Sequence, residues 1–355
     1  MIRIYVGMED GLAQFSQQAG GWRLETRLDG RLTQCLAYDP LRPERVYCGT
    51  FGQGLWRSED AGQSWQPAGE GITHDKVMAV AVSPLERARR GQNGAEYGVL
   101  YAGTEPSALF RSEDGGETWE EARALLALPS VPTWSFPPRP YTHHVRWIEL
   151  DPVVAGRLYV AIEQGGVMRS LDGGRTFEDR KPGGPRDAHT LATHDRAPGR
   201  IYAPAADGMG GQGKALMQSD DGGASWYAAG EGIRHAYGWS VAVDPGDPER
   251  VVYSGSFTPR QAHDPQVANS TLYYRHGGEA EGRWQEARDG LPEPEGTVIY
   301  VLATNHTEPG VVYAASNKGV FRSADAGRTW ERLPVPWPAR YLTQHVQGLA
   351  VTDVE

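Results

Sequence analysis

The chain has 355 residues, of which 45 are acidic and 35 are Lys or Arg, so its formal net charge is −10. This charge disfavours nucleic acid or an anionic membrane surface as a partner, and no apolar stretch is long enough to span a bilayer. The 45 glycines and 25 prolines suit many short strands joined by tight turns. A single β domain covering residues 1–355 is therefore expected.

The first residues, from Met1 to Tyr5, have the pattern of a strand rather than of a secretion signal, which favours a cytoplasmic protein. Cys35 and Cys48 fall on neighbouring predicted strands. Thiols stay reduced in the cytosol, so no disulfide is expected between them.

One eight-residue phrase, Ser-x-Asp-x-Gly-x-(Ser/Thr)-(Trp/Phe), returns five times along the chain. It occupies residues 58–65, 112–119, 170–177, 219–226 and 323–330. An Asp side chain accepts hydrogen bonds from nearby backbone N–H groups, and Gly adopts the positive φ of a tight turn. The phrase therefore predicts a hairpin turn, after which the aromatic residue begins the next strand and packs inward. Its recurrence at intervals of about 50 residues is typical of propellers and solenoids.

Each phrase follows a short strand, as at residues 54–57 and 319–322, and a further hairpin lies upstream of it. That hairpin turns on an Asp-Pro pair at residues 39–40, 151–152 and 244–245. One repeat unit is therefore predicted to contain four antiparallel strands, A to D in chain order.

This phrase is the Asp-box, or BNR, repeat, and the chain resembles the β-propeller superfamily that carries it. Relatives in that superfamily include sialidases, xyloglucan-degrading glycoside hydrolases, sortilin-type receptors and photosystem II assembly factors. The resemblance implies an active site on the propeller face away from the boxes. The Phe-Arg-Ile-Pro signature of sialidases is absent, and xyloglucan-degrading relatives have two fused propellers, whereas this chain holds one.

Two degenerate units bring the predicted number of blades to seven. Trp22 and Trp284 stand where the aromatic residue of a box would be, although the Asp has been lost. The chain begins at a strand B (residues 2–7), and a spare strand A (residues 346–352) lies near its end. The sequence therefore predicts an all-β, seven-bladed propeller closed by pairing of the C-terminal strand with the N-terminal blade.

Histidines recur near the predicted start of the inner strands of five blades. They are His74, His144, His189, His235 and His345. Inner strands converge on the propeller axis, so these imidazoles are expected to face one another across the channel mouth. Imidazole nitrogens held by rigid strands suit a divalent transition metal such as Zn, Mn or Fe. A pore-lining or water-bonded role for each His remains the alternative.

Further candidates lie on the same face. Glu105 and Glu163 follow strand B in adjacent blades, and with His143 they are the predicted catalytic groups, as a general base or as completing ligands. Segments near 120–143 and 255–271 are predicted lid loops, the first beginning with a short helix from Glu120 to Leu128. The predicted substrate-binding residues are Trp134, Arg146, Trp239, Tyr300 and His263.

Three functions are compatible with these residues. The first is a metal-dependent hydrolase or lyase acting on a small polar or sugar-like substrate at the channel mouth. The second is a metal-free glycoside hydrolase that uses paired carboxylates and stacks a sugar on Trp134. The alternative role for Trp134 is to cover the propeller face as part of a lid. The third is a non-catalytic scaffold whose face binds a protein partner.

Overall fold

The computed structural model describes residues 1–88, 96–209, 211, 213–277 and 283–354. Within these residues, 27 strands form seven antiparallel sheets, of which six have four strands and one has three. The first strand of each sheet contacts the first strand of the next sheet, and the series returns to its starting point. The fold is therefore a seven-bladed β-propeller, and the prediction is confirmed.

The first three blades occupy residues 1–121 together with the last strand of the chain. Blade 1 contains β27 (Gly348–Asp353), β1 (Ile2–Met8), β2 (Gly11–Gln18) and β3 (Gly21–Arg27). Blade 2 contains β4 (Thr33–Asp39), β5 (Arg42–Thr50), β6 (Leu55–Ser58) and β7 (Gln66–Pro67). Blade 3 contains β8 (Lys76–Arg87), β9 (Gly98–Glu105), β10 (Leu109–Ser112) and β11 (Glu120–Glu121).

The remaining four blades follow in chain order. Blade 4 contains β12 (Val145–Leu150), β13 (Leu158–Ile162) and β14 (Gly166–Ser170). Blade 5 contains β15 (Ala192–Thr193), β16 (Ile201–Pro204), β17 (Leu216–Ser219) and β18 (Tyr227–Ala228). Blade 6 contains β19 (Tyr237–Asp244), β20 (Asp247–Ser256), β21 (Ser270–His276) and β22 (Gln285–Ala287). Blade 7 contains β23 (Val301–Ala303), β24 (Val312–Ser316), β25 (Gly319–Ser323) and β26 (Glu331–Arg332).

Helices are few and short, and they lie in the connections. They are the 3-10 helices Arg123–Ala127, Val131–Thr133, Ala206–Met209 and Ala339–Thr343 and the α-helix α1 (Pro259–His263). The segment predicted to be a helix from Glu120 begins instead as strand β11, and its helical part starts at Arg123. Among the described residues, none of the helices has the length and apolar character needed to cross a bilayer.

The ends of the chain close the propeller as predicted. Strand β27 pairs antiparallel with β1, from Ile2 opposite Asp353 to Gly7 opposite Gly348. The N-terminal ammonium group also lies 2.5 Å from the Asp353 carboxylate. This pairing covers the sheet edge that β1 would otherwise expose.

The Asp-boxes form the turns between the third and fourth strands, with the predicted chemistry. In the first box the Ser58 hydroxyl donates to Asp60 Oδ1 at 2.8 Å and accepts from Gly62 N at 2.7 Å. The backbone N–H of Ser64 donates to the same Asp60 carboxylate at 2.8 Å. In blade 3 the box aromatic, Trp119, is buried and donates from Nε1 to the Ala68 carbonyl of blade 2. The turn therefore also links neighbouring blades.

A buried tyrosine repeats in the second strand of every blade. The seven residues are Tyr5, Tyr47, Tyr101, Tyr159, Tyr202, Tyr253 and Tyr313. Tyr5 lies under the box of the next blade: a Cβ on Gly62, whose φ is +85°, would lie 2.8 Å from Tyr5 Cε1. The glycine of the box is thus required by close packing as well as by its turn.

Candidate functional site at the channel mouth

A cavity of about 540 Å³ opens at the channel mouth, on the face opposite the Asp-boxes. The antiparallel order of the strands brings two kinds of connection to this face, those leaving the second strand of a blade and those entering its inner strand. Both predicted lid segments border the cavity, through Phe136 to Arg139 of the first and Pro259 and His263 of the second.

Three side chains converge beside the cavity between blades 4 and 5, and two of them, Glu163 and Asp187, line it. Glu163 directly follows β13, and Asp187 and His189 lie in the connection that leads to β15. His189 Nε2 lies 3.9 Å from Glu163 Oε1 and 3.9 Å from Asp187 Oδ1. One ligand atom from each residue lies within 4.8 Å of the others, which is close enough for a shared metal ion. We call these three residues the carboxylate–histidine cluster.

The hydrogen bond at Nδ1 of His189 determines which ring nitrogen carries the proton. His189 Nδ1 lies 2.5 Å from the Gly238 carbonyl oxygen, which can only accept, so this nitrogen carries a proton. In the neutral ring Nε2 then has a lone pair, and it has no hydrogen-bond partner in the described part of the chain although the side chain is fully buried. A lone pair that faces two carboxylates is unfavourable, and either a proton on Nε2 or a metal cation between the three groups removes the repulsion. A backbone carbonyl on the other nitrogen is the usual orientation of a metal-ligating histidine.

His144 occupies the space between the two predicted catalytic glutamates. Its Nε2 lies 3.0 Å from Glu163 Oε2, and its Nδ1 lies 3.4 Å from Glu105 Oε2. Burial lowers the pKa of His144, but the interactions with Glu105 and Glu163 outweigh burial and raise it above 6.5. Because both ring nitrogens face carboxylates, His144 positions Glu163 and offers no free lone pair to a metal.

Glu105 and Glu163 are both held in the ionised form. Burial raises the pKa of Glu163, but the hydrogen bond with His144 and the nearby positive charge lower it to about 2. Burial also raises the pKa of Glu105, but His144 and Arg139 lower it to about 2. Arg139 binds Glu105 through two nitrogens, at 2.9 and 2.5 Å, and Lys76 lies 3.3 Å away. Glu105 therefore lies on the side of His144 away from Glu163 and holds His144, Arg139 and Lys76 through ion pairs.

A pair of stacked imidazoles forms another part of the cavity wall. The rings of His263 and His345 are 4.7 Å apart, and their Nδ1 atoms are 3.2 Å apart. The Tyr237 hydroxyl lies 3.1 Å from His263 Nε2. Burial and the neighbouring His345 hold the pKa of His263 well below its ordinary value. His263 is therefore a neutral base at physiological pH, in contact with a phenol.

Arg146 and Trp239 complete the site. The Arg146 guanidinium lies 4.5 Å from the centre of the Trp239 ring and 3.9 Å from Glu163 Oε2. The His189 ring lies 4.5 Å from the same indole. These contacts tie the predicted substrate-binding residues Arg146, Trp239 and His263 to the carboxylate–histidine cluster.

Two of the five predicted metal ligands lie away from the cavity. His235 is buried, with Nδ1 2.8 Å from the Tyr273 hydroxyl and its ring 4.0 Å from Phe257. His74 is half-buried and presents its ring to the edge of Phe110 at 6.5 Å. The two side chains have local partners and do not converge with His144, His189 and His345, because a shift of one or two residues near a strand end redirects the ring.

Three further predicted residues also lie outside the cavity wall. Trp134 is buried in the core and donates from Nε1 to Ser130 Oγ at 2.9 Å, so it lacks the exposure that sugar stacking requires. His143 packs against the edge of Trp134 at 5.4 Å. Tyr300 is buried in the core cluster that contains Phe321, whose ring it meets edge-on.

Asp187 and Tyr237 are the site residues that sequence reasoning missed. The spacing of Asp187 could have indicated it, because Asp187 and His189 flank Ala188, which forms a β-bridge with Ala205. Residues at that spacing point to the same side of a strand. Tyr237 and Trp239 have the same spacing at the start of the inner strand β19.

Comparison with known proteins supports the fold, and the share of the chain that is matched differs between the sequence relative and the solved structures. No family model matches the chain. An oligoxyloglucan-reducing end-specific xyloglucanase of Emericella nidulans is 26% identical over 153 residues, which are 41% of this chain and 17% of that relative.

Solved structures similar to this chain are also propellers. The Niastella koreensis GH74 enzyme has a TM-score of 0.64 at 16% identity, over 92% of this chain and 51% of that one. The GH74 xyloglucanase from Xanthomonas campestris has a TM-score of 0.58 at 18% identity, over 90% and 46% of the two chains. YCF48 from Cyanidioschyzon merolae has a TM-score of 0.55 at 14% identity, over 89% and 87%. The chain thus spans about half the length of these GH74 enzymes.

Proposed function

We propose that this Asp-box β-propeller is a divalent-metal-dependent hydrolase that acts on a carbohydrate-like substrate at its channel mouth. The observation that carries the proposal is the buried Nε2 of His189, which has no hydrogen-bond partner in the described part of the chain and faces Glu163 and Asp187. Two carboxylates and one imidazole are a donor set that suits Zn, Mn or Fe. A cation held there would act as a Lewis acid toward the scissile group.

The surrounding residues have distinct roles in this proposal. His144 keeps Glu163 ionised and oriented through their 3.0 Å contact. His263 is neutral because burial and His345 hold its pKa well below its ordinary value, and the Tyr237 hydroxyl fixes its orientation at 3.1 Å. Arg146, backed by the Trp239 ring, presents a positive charge to polar substituents of the substrate.

Two observations support a carbohydrate-like substrate. The cavity of about 540 Å³ lies within the usual range for small-molecule sites. The curated relative is named for its action on oligoxyloglucan, and similar solved structures include GH74 enzymes. Those proteins are about twice as long as this chain or longer, so their names do not identify the saccharide on which this chain acts.

Metal binding gives a direct test. Protein stripped with a chelator and dialysed would be titrated calorimetrically with Zn²⁺, Mn²⁺ and Fe²⁺, and metal content would be measured by mass spectrometry. We expect one metal ion per chain in the wild type and at least a ten-fold weaker affinity in His189→Gln and Asp187→Asn.

His235→Gln is the matched control, because His235 is also a buried histidine near the start of an inner strand but lies away from the cluster. It should retain the metal. Thermal unfolding of all three variants checks that each is folded. Wild-type protein that binds no metal, or a His189→Gln variant that binds it with unchanged affinity, would rule out the proposed site.

A metal-free glycoside hydrolase is the second candidate, and the carboxylates of Glu163 and Asp187 favour it. Burial raises the pKa of Asp187, with a further contribution from Glu163, whereas the pKa of Glu163 is lowered to about 2. Such a divergence is typical of an acid and its partner base or nucleophile. Glu105 and Glu163 do not form such a pair, because both are held ionised at neutral pH. Hydrolysis of aryl glycosides that is unchanged by a chelator would select this candidate.

A scaffold is the remaining outcome of these measurements. YCF48, which is similar over most of both chains, has been solved with a bound D1 peptide. Protein that neither binds metal nor hydrolyses any glycoside would leave protein binding by the same face as the function to test.

A further inference from the structure

A second groove lies directly beside the channel mouth. It has a volume of about 720 Å³, and it shares Gln164, Asp187 and Met209 with the wall of the channel cavity. The two spaces are therefore neighbours across Asp187, a member of the carboxylate–histidine cluster. A substrate longer than one ring at the mouth would extend into this groove.

The groove is positively charged on a chain that is otherwise acidic. Four basic side chains and two acidic ones line it: Arg180, Lys181, Arg186, Lys214, Asp187 and Asp207. We call this feature the cationic groove. A positive cleft on a chain of net charge −10 concentrates anions locally.

The basic side chains of the cationic groove are incompletely neutralised. Arg180 is held in place, donating to the Gly165 carbonyl at 2.7 Å and to Thr133 Oγ1 at 2.8 Å, which are both uncharged acceptors. The side chains of Arg186 and Lys214 have no ion-pair partner among the described residues. Within the part of the chain that the structure describes, Lys181 is the one basic side chain of the groove with an ion pair, to Glu178 at 2.5 Å.

The two arginines also repel each other. Burial and the charge of Arg186 lower the pKa of Arg180 and outweigh the nearby charge of Asp179, which raises it. Two guanidinium groups that repel each other are stabilised when an anion lies between them, and the planar fork of arginine fits a carboxylate, sulfate or phosphate group through two hydrogen bonds. The position of Arg180 is fixed by its own hydrogen bonds, so the groove is preorganised for such a ligand.

We propose that the cationic groove binds an anionic substituent of the substrate, so that the saccharide that reacts at the channel mouth is an acidic one. This inference rests on the proposed function, because it assigns the substrate class of the same site. The anion is a carboxylate, a sulfate or a phosphate group, which share the charge and the oxygen geometry that arginine recognises. Asp187 would then lie between the subsite for the anion and the reacting group.

Binding of matched sugars tests this inference without requiring catalysis. Methyl glucuronide, glucose 6-sulfate and glucose 6-phosphate would be titrated against the full chain in 50 mM salt, each beside methyl glucoside. We expect at least ten-fold tighter binding of one or more acidic sugars than of methyl glucoside. This preference should fall at least three-fold in 0.5 M salt, because exposed charges are screened. The acidic sugar that binds most tightly identifies the anion.

Charge-reversal variants locate the binding. Arg186→Glu and Lys214→Glu should each reduce the acidic preference at least five-fold, and because both side chains are exposed, both proteins should fold normally. Arg175→Glu is the matched control, since Arg175 is an exposed arginine at an Asp-box on the opposite face. Equal binding of acidic and neutral sugars, or a preference that survives both groove variants, would overturn the inference.

The outcome is separable from that of the metal test. An acidic preference that depends on Arg186 in a chain that binds no metal would keep the inference and reject the metal-dependent reaction. Metal binding at His189 without a preference for acidic sugars would keep the metal site and reject the inference about the groove.

Discussion

Glu105 is a residue whose charge is stabilised by one loop. Arg139, in the segment between blades 3 and 4, contacts both oxygens of this buried carboxylate, and the pKa of Glu105 is about 2 because His144 and Arg139 together outweigh burial. A lowered pKa stabilises the folded state above the ordinary value of 4.5, and this contribution is lost as the pH falls through about 2. The loop and the site therefore share one ion pair.

Replacing Arg139 with Ala should destabilise the protein at neutral pH. We expect a loss of about 1–3 kcal/mol in the free energy of unfolding at pH 7, because a buried carboxylate loses the one partner among the described residues that contacts both of its oxygens. The loss should be smaller at pH 3, where protonation of Glu105 becomes easier in the variant. Urea unfolding at both pH values measures the effect. Arg23→Ala, which removes an exposed ion pair with Glu25, is the control and should change stability by less than about 0.5 kcal/mol. Equal effects of the two variants would contradict the prediction.

Glu149 shows the opposite behaviour in the inner strand β12. Burial raises its pKa to about 7, despite hydrogen bonds from Thr193 and Trp147 that lower it. The folded state therefore binds a proton more tightly than the unfolded state, whose glutamates titrate near 4.5. Folding stability should fall as the pH rises from about 4.5 to about 7, by up to about 3 kcal/mol.

The variant Glu149→Gln should remove this pH dependence. Its melting temperature, measured by circular dichroism at pH 5 and pH 8, should change less between the two pH values than that of the wild type. A wild type and variant with parallel pH profiles would show that Glu149 titrates normally.

At the scale of the element, a tyrosine of one blade packs against the Asp-box of the next blade wherever the box is intact. Tyr47 of β5 donates to the Gly115 carbonyl in the box of blade 3 at 2.9 Å and accepts from Arg45 at 2.6 Å. Tyr5 has the equivalent position in blade 1, but its hydroxyl has no hydrogen-bond partner in the described part of the chain. The rings of Tyr5 and Tyr47 thus pack in equivalent positions, whereas of these two hydroxyls only that of Tyr47 has hydrogen-bond partners among the described residues.

This difference predicts unequal effects of the same substitution. Tyr47→Phe should lower the free energy of unfolding by about 1–3 kcal/mol, because Arg45 and Gly115 lose a buried partner. Tyr5→Phe should be neutral or slightly stabilising, since it removes an unpaired buried hydroxyl. Denaturant titration of both variants distinguishes these outcomes, and a larger loss for Tyr5→Phe would contradict this account of the junction.

The elements were predictable from the sequence because the repeat carries its own turn chemistry. Ser58, Asp60 and Gly62 form the turn through hydrogen bonds to one another. Because all of these residues lie within one eight-residue box, the turn can be recognised from the sequence. The directions of the site histidines were only partly predictable. His345 lines the cavity and His189 lies beside its lining residues Glu163 and Asp187. His235 is instead held by Tyr273, a partner 38 residues away that spacing alone does not indicate.

At the scale of the whole molecule, the site depends on closure of the ring. The cavity is lined by residues from blades 1 to 6, among them Gln34 of β4 and His345, which precedes β27, so no single blade contains the site. Strand β27 also contributes Leu349 and Val351 to a core cluster shared with blade 7. Its pairing with β1 therefore holds together the first and last blades and one wall of the site.

Deleting residues 346–354 should abolish cooperative folding of the propeller. The deletion exposes the edge of β1 and part of the core beneath it, and an open β edge promotes aggregation. We expect loss of a single unfolding transition and elution as aggregates in size-exclusion chromatography. Asp353→Ala is the control: it removes only an exposed ion pair with the N-terminus and should change stability by less than about 0.5 kcal/mol.

A synthetic peptide of residues 345–354 provides the converse experiment. It should restore a cooperative transition to the truncated chain, because the edge of β1 offers the register from Ile2 to Gly7 that β27 occupies in the full chain. A peptide in which Leu349 and Val351 are replaced by Ser should fail, since those two side chains enter the core. A truncated chain that unfolds with the wild-type midpoint would mean that the ring is held by contacts between blades and that strand pairing at the closure is dispensable.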